Sequence, residues 1–244
     1  MKLLILIICL TFNTTIFAKE YKIATWNIVG GKKLFSKKSN YSNIENVIRK
    51  GDLKNSDFIS FTEQGDPDQV AQIAHRLGYY YSEGIWGNSI LSKYKIVNTG
   101  SVVVNPVSMR QAAWADIEIE NNEIIRVYAV HLSYKMKLNP FIPKIRGKEM
   151  ELVLINASTF KGKVIIAGDF NTVRMIPIFM SNKPVLKNAK KYGYKNAFKK
   201  KRKLTQIMGQ LDWIFARGVK KIVKSKIGKF SGSDHRYIYT SIEF

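Results

Sequence analysis

Apolar and polar positions divide the chain into a short leader and a long succession of brief elements. Leu3 to Leu10 form an unbroken apolar run behind Met1-Lys2, and polar residues then lead to Ile16-Phe17-Ala18 before Lys19-Glu20. A basic start, a short apolar stretch and a small closing residue are the parts of a secretory leader. The run is too short to cross a bilayer, which takes roughly 20 apolar residues. Residues 1–18 are therefore expected to be a signal peptide cut after Ala18, with an uncleaved N-terminal anchor as the alternative, and 19–244 one folded unit. The expected location is secreted or periplasmic.

Beyond the leader, Tyr21–Ile28 reads as a strand that runs into the Gly30-Gly31 turn. Helices are predicted over Asn43–Lys50 and Asp68–Leu77, with a buried strand, Asp57–Thr62, between them that ends at Glu63. Strands follow at Ser89–Leu91, Val97–Val104, Ala112–Ile119 and Ile124–His131, the last two joined by a turn at Glu120-Asn121-Asn122-Glu123. A helix over Lys144–Thr159 precedes strands at Val164–Ala167, Leu211–Ala216, Ile222–Ile227 and Tyr237–Ile242. Alternating helix and strand at one end, and runs of strands after it, predict an α/β (α+β) fold. Its expected form is two mixed β-sheets packed face to face with helices on the outer faces. No fixed repeat and no linker divides the chain, and 45% apolar content in 244 residues suffices for one shared core.

Cysteine usage removes several chemistries. Cys9 is the single cysteine and lies inside the leader, without the small residues a lipid-attachment site needs before it. The mature chain would have none, which excludes cysteine nucleophiles, iron–sulfur clusters and thiolate zinc sites. Charge points the other way. Lys and Arg number 40 against 18 Asp and Glu, a formal +22, and a field of that sign favours nucleic acid, anionic lipid or polyphosphate. A lysine-biased genome is the bland source of part of this excess.

Polar residues worth noting recur at the ends of apolar strands. Asn27 follows Ile23–Trp26, Glu63 follows Phe58–Thr62 and His131 follows Val127–Val130. Asp169 and Asn171 follow Val164–Ala167, Asp212 lies at Leu211–Phe215, and Asp234 and His235 precede Tyr237–Ile242. Strands lying side by side would bring these ends to one rim and one cleft. Taken singly, Asn27 reads as a turn residue, Glu63 as a surface or capping acid and His131 as a structural histidine. Asp212, embedded between Leu211 and Trp213, requires a partner. His75, on a predicted amphipathic helix, reads as surface.

Read in order, Gly168-Asp169-Phe170-Asn171, Leu211-Asp212-Trp213-Ile214-Phe215 and Gly232-Ser233-Asp234-His235-Arg236 resemble the endonuclease/exonuclease/phosphatase superfamily of DNase I-like enzymes. Thr25-Trp26-Asn27-Ile28, Glu63-Gln64 and Gly87-Asn88-Ser89-Ile90-Leu91-Ser92 fit the same pattern, so the resemblance spans Tyr21 to Phe244. It implies a catalytic domain over 19–244 that hydrolyses phosphodiesters with Mg²⁺, or with Mn²⁺ in its place. Glu63 would be the main metal ligand, with Asn27 and Asp234 contributing directly or through water. Asp169 would orient or deprotonate the attacking water, Asn171 would hold a phosphate oxygen, and His235, set by Asp212, would contact the phosphoryl group. His131 matches the DNase I-like and sphingomyelinase-like members, where it is a candidate acid or phosphate ligand, better than it matches AP endonucleases. Arg110 matches a position assigned to phosphate contact.

Substrate choice rests on charge. Residues 170 to 211 carry no Asp or Glu but hold Arg174, Lys183, Lys187, Lys190, Lys191, Lys195, Lys199, Lys200, Lys201, Arg202 and Lys203. Tethered between Asp169 and Asp212, they are expected to surround the cleft, with Lys199 and Lys200 on substrate and Tyr192, Tyr194 and Phe198 as stacking surfaces. The opposing expectation is a solvated loop whose aromatics fill the core. The leading expectation is a monomeric nuclease with a nucleic acid substrate and low sequence selectivity. The alternative is a phospholipid phosphodiesterase on an anionic membrane surface, with Phe141-Ile142 as its inserting tip. A non-catalytic binding module is disfavoured because no site residue is missing.

Overall fold

The computed structural model describes residues 19–32, 38–105, 110–134, 141–172, 182–198, 204–206 and 209–244. The leader and the basic residues Arg174, Lys199, Lys200, Lys201, Arg202 and Lys203 lie outside them. In chain order the elements are β1 (Glu20–Asn27), α1 (Tyr41–Arg49), β2 (Phe58–Thr62), α2 (Pro67–Arg76), β3 (Tyr80–Glu83), β4 (Ser89–Ser92), β5 (Ile96–Asn105), β6 (Arg110–Glu118) and β7 (Ile124–His131). They continue with α3 (Ile142–Ser158), β8 (Lys163–Asp169), α4 (Lys183–Lys191), β9 (Lys195–Asn196), β10 (Asp212–Arg217), β11 (Lys221–Phe230) and β12 (Arg236–Glu243).

The strands form two six-stranded sheets, ordered β11-β12-β1-β2-β4-β3 and β5-β6-β7-β8-β10-β9. Both are mixed, because β1–β2 and β7–β8 pair parallel while their other named strand pairs are antiparallel. Strands covered on both faces read as continuous apolar runs. In β7, Ile125, Val127 and Ala129 face the opposite sheet, packing with Ile23, Phe58 and Ile238. Tyr128 and Val130 turn outward to Met150, Val153 and Leu154 of α3. The first sheet does the same with Ala24, Trp26, Ile59 and Phe61, which meet Ile44 and Ile48 of α1 and Val70 and Ile73 of α2. The result is the expected sandwich, with a helix layer on the outer face of each sheet.

Three elements were not expected: β3, α4 and β9. The turn at residues 120–123 forms with Asn121 and Asn122 in the left-handed region at φ 59° and 57°, and it connects β6 to β7 in antiparallel register. Among the described residues no helix is long and apolar enough to cross a membrane.

Candidate active site

The two parallel pairs run toward one rim. Asn27 and Thr62 are register partners at the end of β1–β2, and His131 and Asp169 are partners at the end of β7–β8. Ser60 Oγ donates to the Ala167 carbonyl across the sheets at 3.2 Å, which fixes their relative depth. β10 and β12 run antiparallel to β8 and β1, so they begin where those end. Asp212 thereby lies directly opposite Asp169, and Asp234-His235 open β12 beside Asn27.

The side chains meet around Asp169. The Asn27 amide donates to Glu63 Oε1 at 2.9 Å and to Asp169 Oδ2 at 3.1 Å, while its Oδ1 accepts from the Val29 N–H at 3.1 Å. Carboxylates on one side and an N–H on the other fix that orientation. Asn27 thus presents N–H, not oxygen, to the cluster, and bridges the two acids instead of offering the oxygen expected of a direct metal ligand. His131 Nε2 lies 3.6 Å from Glu63 Oε1 and 3.7 Å from Asp169 Oδ2. His235 Nε2 is also 3.7 Å from Asp169 Oδ2, and its Nδ1 is 2.9 Å from Asp212 Oδ2.

Local backbone chemistry sets these positions. Gly168 has φ 150°, and a Cβ there would stand 1.9 Å from the Val130 carbonyl oxygen, so only glycine lets β8 close on β7 at this point. Glu63 and Asn171 occupy the left-handed region at φ 50° and 51°, a strained conformation that clusters at functional sites. The Asn171 N–H donates to Asp169 Oδ1 at 2.8 Å, and its side-chain amide donates to the Leu132 carbonyl at 3.0 Å. Ser233 Oγ donates to the Asn27 carbonyl and accepts from the His235 N–H, while Trp26 Nε1 donates to the His235 carbonyl. Thr205 Oγ1 accepts from the N–H groups of Leu211 and Asp212, anchoring the start of β10.

Charge is distributed unequally over the cluster. Burial disfavours a charged His235, but Asp212 and Asp169 outweigh it and push its pKa up to about 10. Burial dominates at His131 and lowers its pKa, leaving a neutral ring. Burial would raise Asp169, yet His235, His131, the Asn171 N–H and the Asn27 amide together hold it below the usual carboxylate range. The site therefore holds an ionised carboxylate between one charged and one neutral imidazole.

Of the expected residues, Asn27, Glu63, His131, Asp169, Asp212 and His235 converge. Asp234 lies outside the two carboxylate–imidazole groups, Glu63–His131–Asp169 and Asp169–Asp212–His235, whose candidate ligand atoms lie within 4.8 Å of one another. One of its carboxylate oxygens is buried with no hydrogen-bond partner. Arg110 donates to the carbonyls of His131 and Leu132, so its placement supports the loop behind the site. His75 is exposed, as expected.

The basic segment is corrected in part. α4 packs Val185 and Ala189 on the outer side of the second sheet, and Lys195 donates to the carbonyls of Val219 and Lys220, beyond the end of β10 remote from Asp212. Lys187, Lys190 and Lys191 therefore belong to the outer helix layer and Lys195 to the far end of β10, while Lys183 begins α4 beside Gly147 of α3. Tyr194 is buried in the core, and Tyr192 and Phe198 are partly buried against it, so Tyr194 offers no stacking face. Amphipathic packing of a lysine-rich helix decided the matter.

The sequence reading also missed Arg146 and Glu149. Both are buried on α3, where Arg146 Nε donates to the Ser133 carbonyl and Glu149 accepts from the Ser133 N–H and hydroxyl. They clamp the chain just beyond His131. Their three-residue spacing on one helix face was the available signal.

The donor set fits a hard divalent cation. Glu63, His131 and Asp169 form one compact group that supplies two carboxylates, and one buried Asp234 oxygen has no hydrogen-bond partner. The half-exposed Glu63 side chain gives access from solvent.

A DNase I-like class is defined by this sandwich and by the imidazole–carboxylate cluster at its strand ends. The chain belongs to the endonuclease/exonuclease/phosphatase family, whose model matches residues 24–235. The family is hydrolytic on phosphoester bonds and typically depends on a divalent metal. Among curated proteins, no sequence match was found. Among solved structures, the chain is similar to an endonuclease/exonuclease/phosphatase from Beutenbergia cavernae, with a TM-score of 0.77 at 13% identity over 92% of this chain and 72% of that one. The human nocturnin catalytic domain gives 0.70 at 17% identity, over 92% and 93%. Beta toxin from Staphylococcus aureus gives 0.65 at 17%, over 90% and 99%. At such identities the likeness is one of fold.

Proposed function

We propose that the protein is an exported, Mg²⁺- or Mn²⁺-dependent phosphodiesterase that cleaves nucleic acid with low sequence selectivity. The observation that carries the reaction type is the geometry at Asp169, whose Oδ2 has the Nε2 atoms of His131 and His235 each at 3.7 Å and the Asn27 amide at 3.1 Å. In this reading its carboxylate takes the proton of an attacking water. His235, kept cationic by Asp212, donates from Nε2 to a non-bridging phosphate oxygen as charge gathers there. His131 supplies a further polar contact, and Glu63, with Asp234 and with Asn27 through water, would hold the metal. When bound, that cation supplies Lewis-acid polarisation of the phosphoryl oxygen and help for the departing alkoxide.

Nucleic acid is favoured as substrate by the +22 formal charge. Export is supported by the apolar leader with its small residue at Ala18. The second reading, a phospholipid phosphodiesterase, draws on Phe141, which is 60% exposed at the start of α3. Its expected partner in insertion, Ile142, is buried, which weakens that tip. Residues 19–244, purified and assayed as a monomer with Mg²⁺ or Mn²⁺ on plasmid, single-stranded DNA, RNA and sphingomyelin vesicles, provide the test. Nicking that disappears with chelator and falls at least ~100-fold in Asp169→Asn is expected. Headgroup release without nicking would assign the lipid reading instead.

A further inference from the structure

Trp86 is the unusual tryptophan of this molecule. Trp26 and Trp213 are buried in the core, and Trp114 lies beneath Arg126, whose guanidinium carbon is 3.9 Å from the ring centroid. Trp86 instead is 56% exposed and sits in the left-handed region at φ 62°, where bulky residues are rare. The loop is pinned around it. The Gly84 N–H donates to the Asn88 carbonyl and the Gln64 N–H donates to the Gly87 carbonyl, both at 2.8 Å. A methyl on Gly87 would lie 3.4 Å from Glu63 Cα. The loop that displays this aromatic ring is thus in direct contact with the backbone of a residue of the carboxylate cluster.

Trp86 also borders a cleft of about 460 Å³ with Gln64, Gly65, Pro67, Glu83, Gly84 and Gly87. That volume falls within the ~300–1,000 Å³ range of ligand sites. The lining is an aromatic face with an amide, a carboxylate and backbone around it, and the Gln64 amide is oriented by the Tyr81 hydroxyl at 3.1 Å. An aromatic face with hydrogen-bonding groups at its edge suits a flat heterocycle. The Glu83 carboxylate accepts hydrogen bonds, which suits the amino and ring N–H groups of a base and leaves the phosphate to the neighbouring cluster.

We propose that Trp86 is a specificity-determining residue that stacks on the nucleobase next to the scissile phosphodiester, with the Gln64–Glu83 cleft receiving that base. The assignment rests on the nucleic acid reading above. The left-handed backbone at Trp86 turns the residue out to solvent, and because the loop adjoins the Glu63–Gln64 backbone, a base stacked on the ring would bring its phosphate toward the cluster that holds His235.

Trp86→Asn removes the ring while suiting the left-handed backbone, and Trp86→Phe retains a ring. Both, with unchanged circular dichroism, are to be compared on a single-stranded deoxyoligonucleotide and on an abasic tetrahydrofuran oligomer of the same length, which keeps the phosphodiesters and has no aromatic ring to stack. Loss of one stacked base predicts that Trp86→Asn lowers kcat/KM on the oligonucleotide ~5–100-fold, leaves the abasic oligomer within about two-fold, and that Trp86→Phe recovers most of the loss. Equal loss on both substrates, or no loss on the oligonucleotide, overturns the assignment. Tryptophan emission titrated with oligothymidylate in chelator gives the binding readout, with quenching expected in the wild type and absent in Trp86→Phe. Persistent quenching in that variant overturns the stacking, and emission that responds only to phosphatidylserine vesicles assigns Trp86 to a membrane. If the wild type cleaves no nucleic acid, the nuclease reading fails, and the emission titration still decides whether Trp86 meets a base.

Discussion

His235 stands between two acids, Asp212 at 2.9 Å and Asp169 at 3.7 Å, and the proton it keeps depends on both. In Asp212→Asn the largest of the charges that raise its pKa is gone, while those of Asp169 and Asp234 and the burial remain. The pKa of His235 should fall from about 10, moving the loss of its charge to lower pH, which a ring titration by NMR reads directly. Phosphodiester cleavage should fall ~10²–10⁴-fold, because the cationic clamp and its orientation go together. At this scale the sequence was informative wherever a polar residue interrupts an apolar strand at its end, as with Asn27, Glu63, His131 and Asp169. It was silent where a buried polar residue looks like an ordinary helical charge, as with Arg146 and Glu149. Nor could spacing tell that Asn27 would turn its N–H groups, rather than its oxygen, to the acids, since that follows from where Val29 places its own N–H.

Among elements, β8 depends on Gly168 to reach β7. Gly168→Ala puts a methyl into the Val130 carbonyl at a backbone angle that L residues rarely adopt, and it should cost about 2–4 kcal/mol, read as a lowered Tm. α1 and α2 are joined at Glu45, which receives Arg76 and Arg49. The hydrogen bonds from Arg76 and then Arg49 lower the Glu45 pKa, so its contribution is present above the unfolded carboxyl pKa and is lost as pH falls through the depressed folded value. Glu45→Gln should therefore lose up to ~1 kcal/mol at neutral pH and flatten the acid limb of the stability curve, as followed by urea unfolding from pH 7 down to pH 3. The strands covered on both faces were readable because their apolar runs are continuous. β3 escaped because it is an edge strand with exposed Tyr80 and Glu83, and α4 because lysines surround its few apolar positions, Val185, Leu186 and Ala189.

For the whole molecule, a formal +22 makes ionic strength the most direct probe of the proposed substrate. If substrate phosphates are neutralised by Lys and Arg, kcat/KM on single-stranded DNA should fall steeply and log-linearly between 50 and 200 mM salt, with a slope of about −0.7 per phosphate contacted. Cleavage of a small diester should change little, and parallel curves for the two substrates would remove the polyanion from the account. The four-layer sandwich itself was apparent from the order of elements, whereas the placement of the α4 lysines on its outer side depended on packing that spacing does not reveal.

Asp169 and Asp212 face each other across β8 and β10, yet the chain between them travels out through α4 and β9 before returning. The ends of that excursion are locked into one ladder, so their separation is set by the sheet and not by what lies between. Closing a longer excursion adds only ~0.6 kcal/mol per doubling of its length. The excursion can therefore change length at little thermodynamic cost while Asp169 and Asp212 keep their places, provided that Asn171 at its start and Thr205 near its end, which tie down the two acids, are kept.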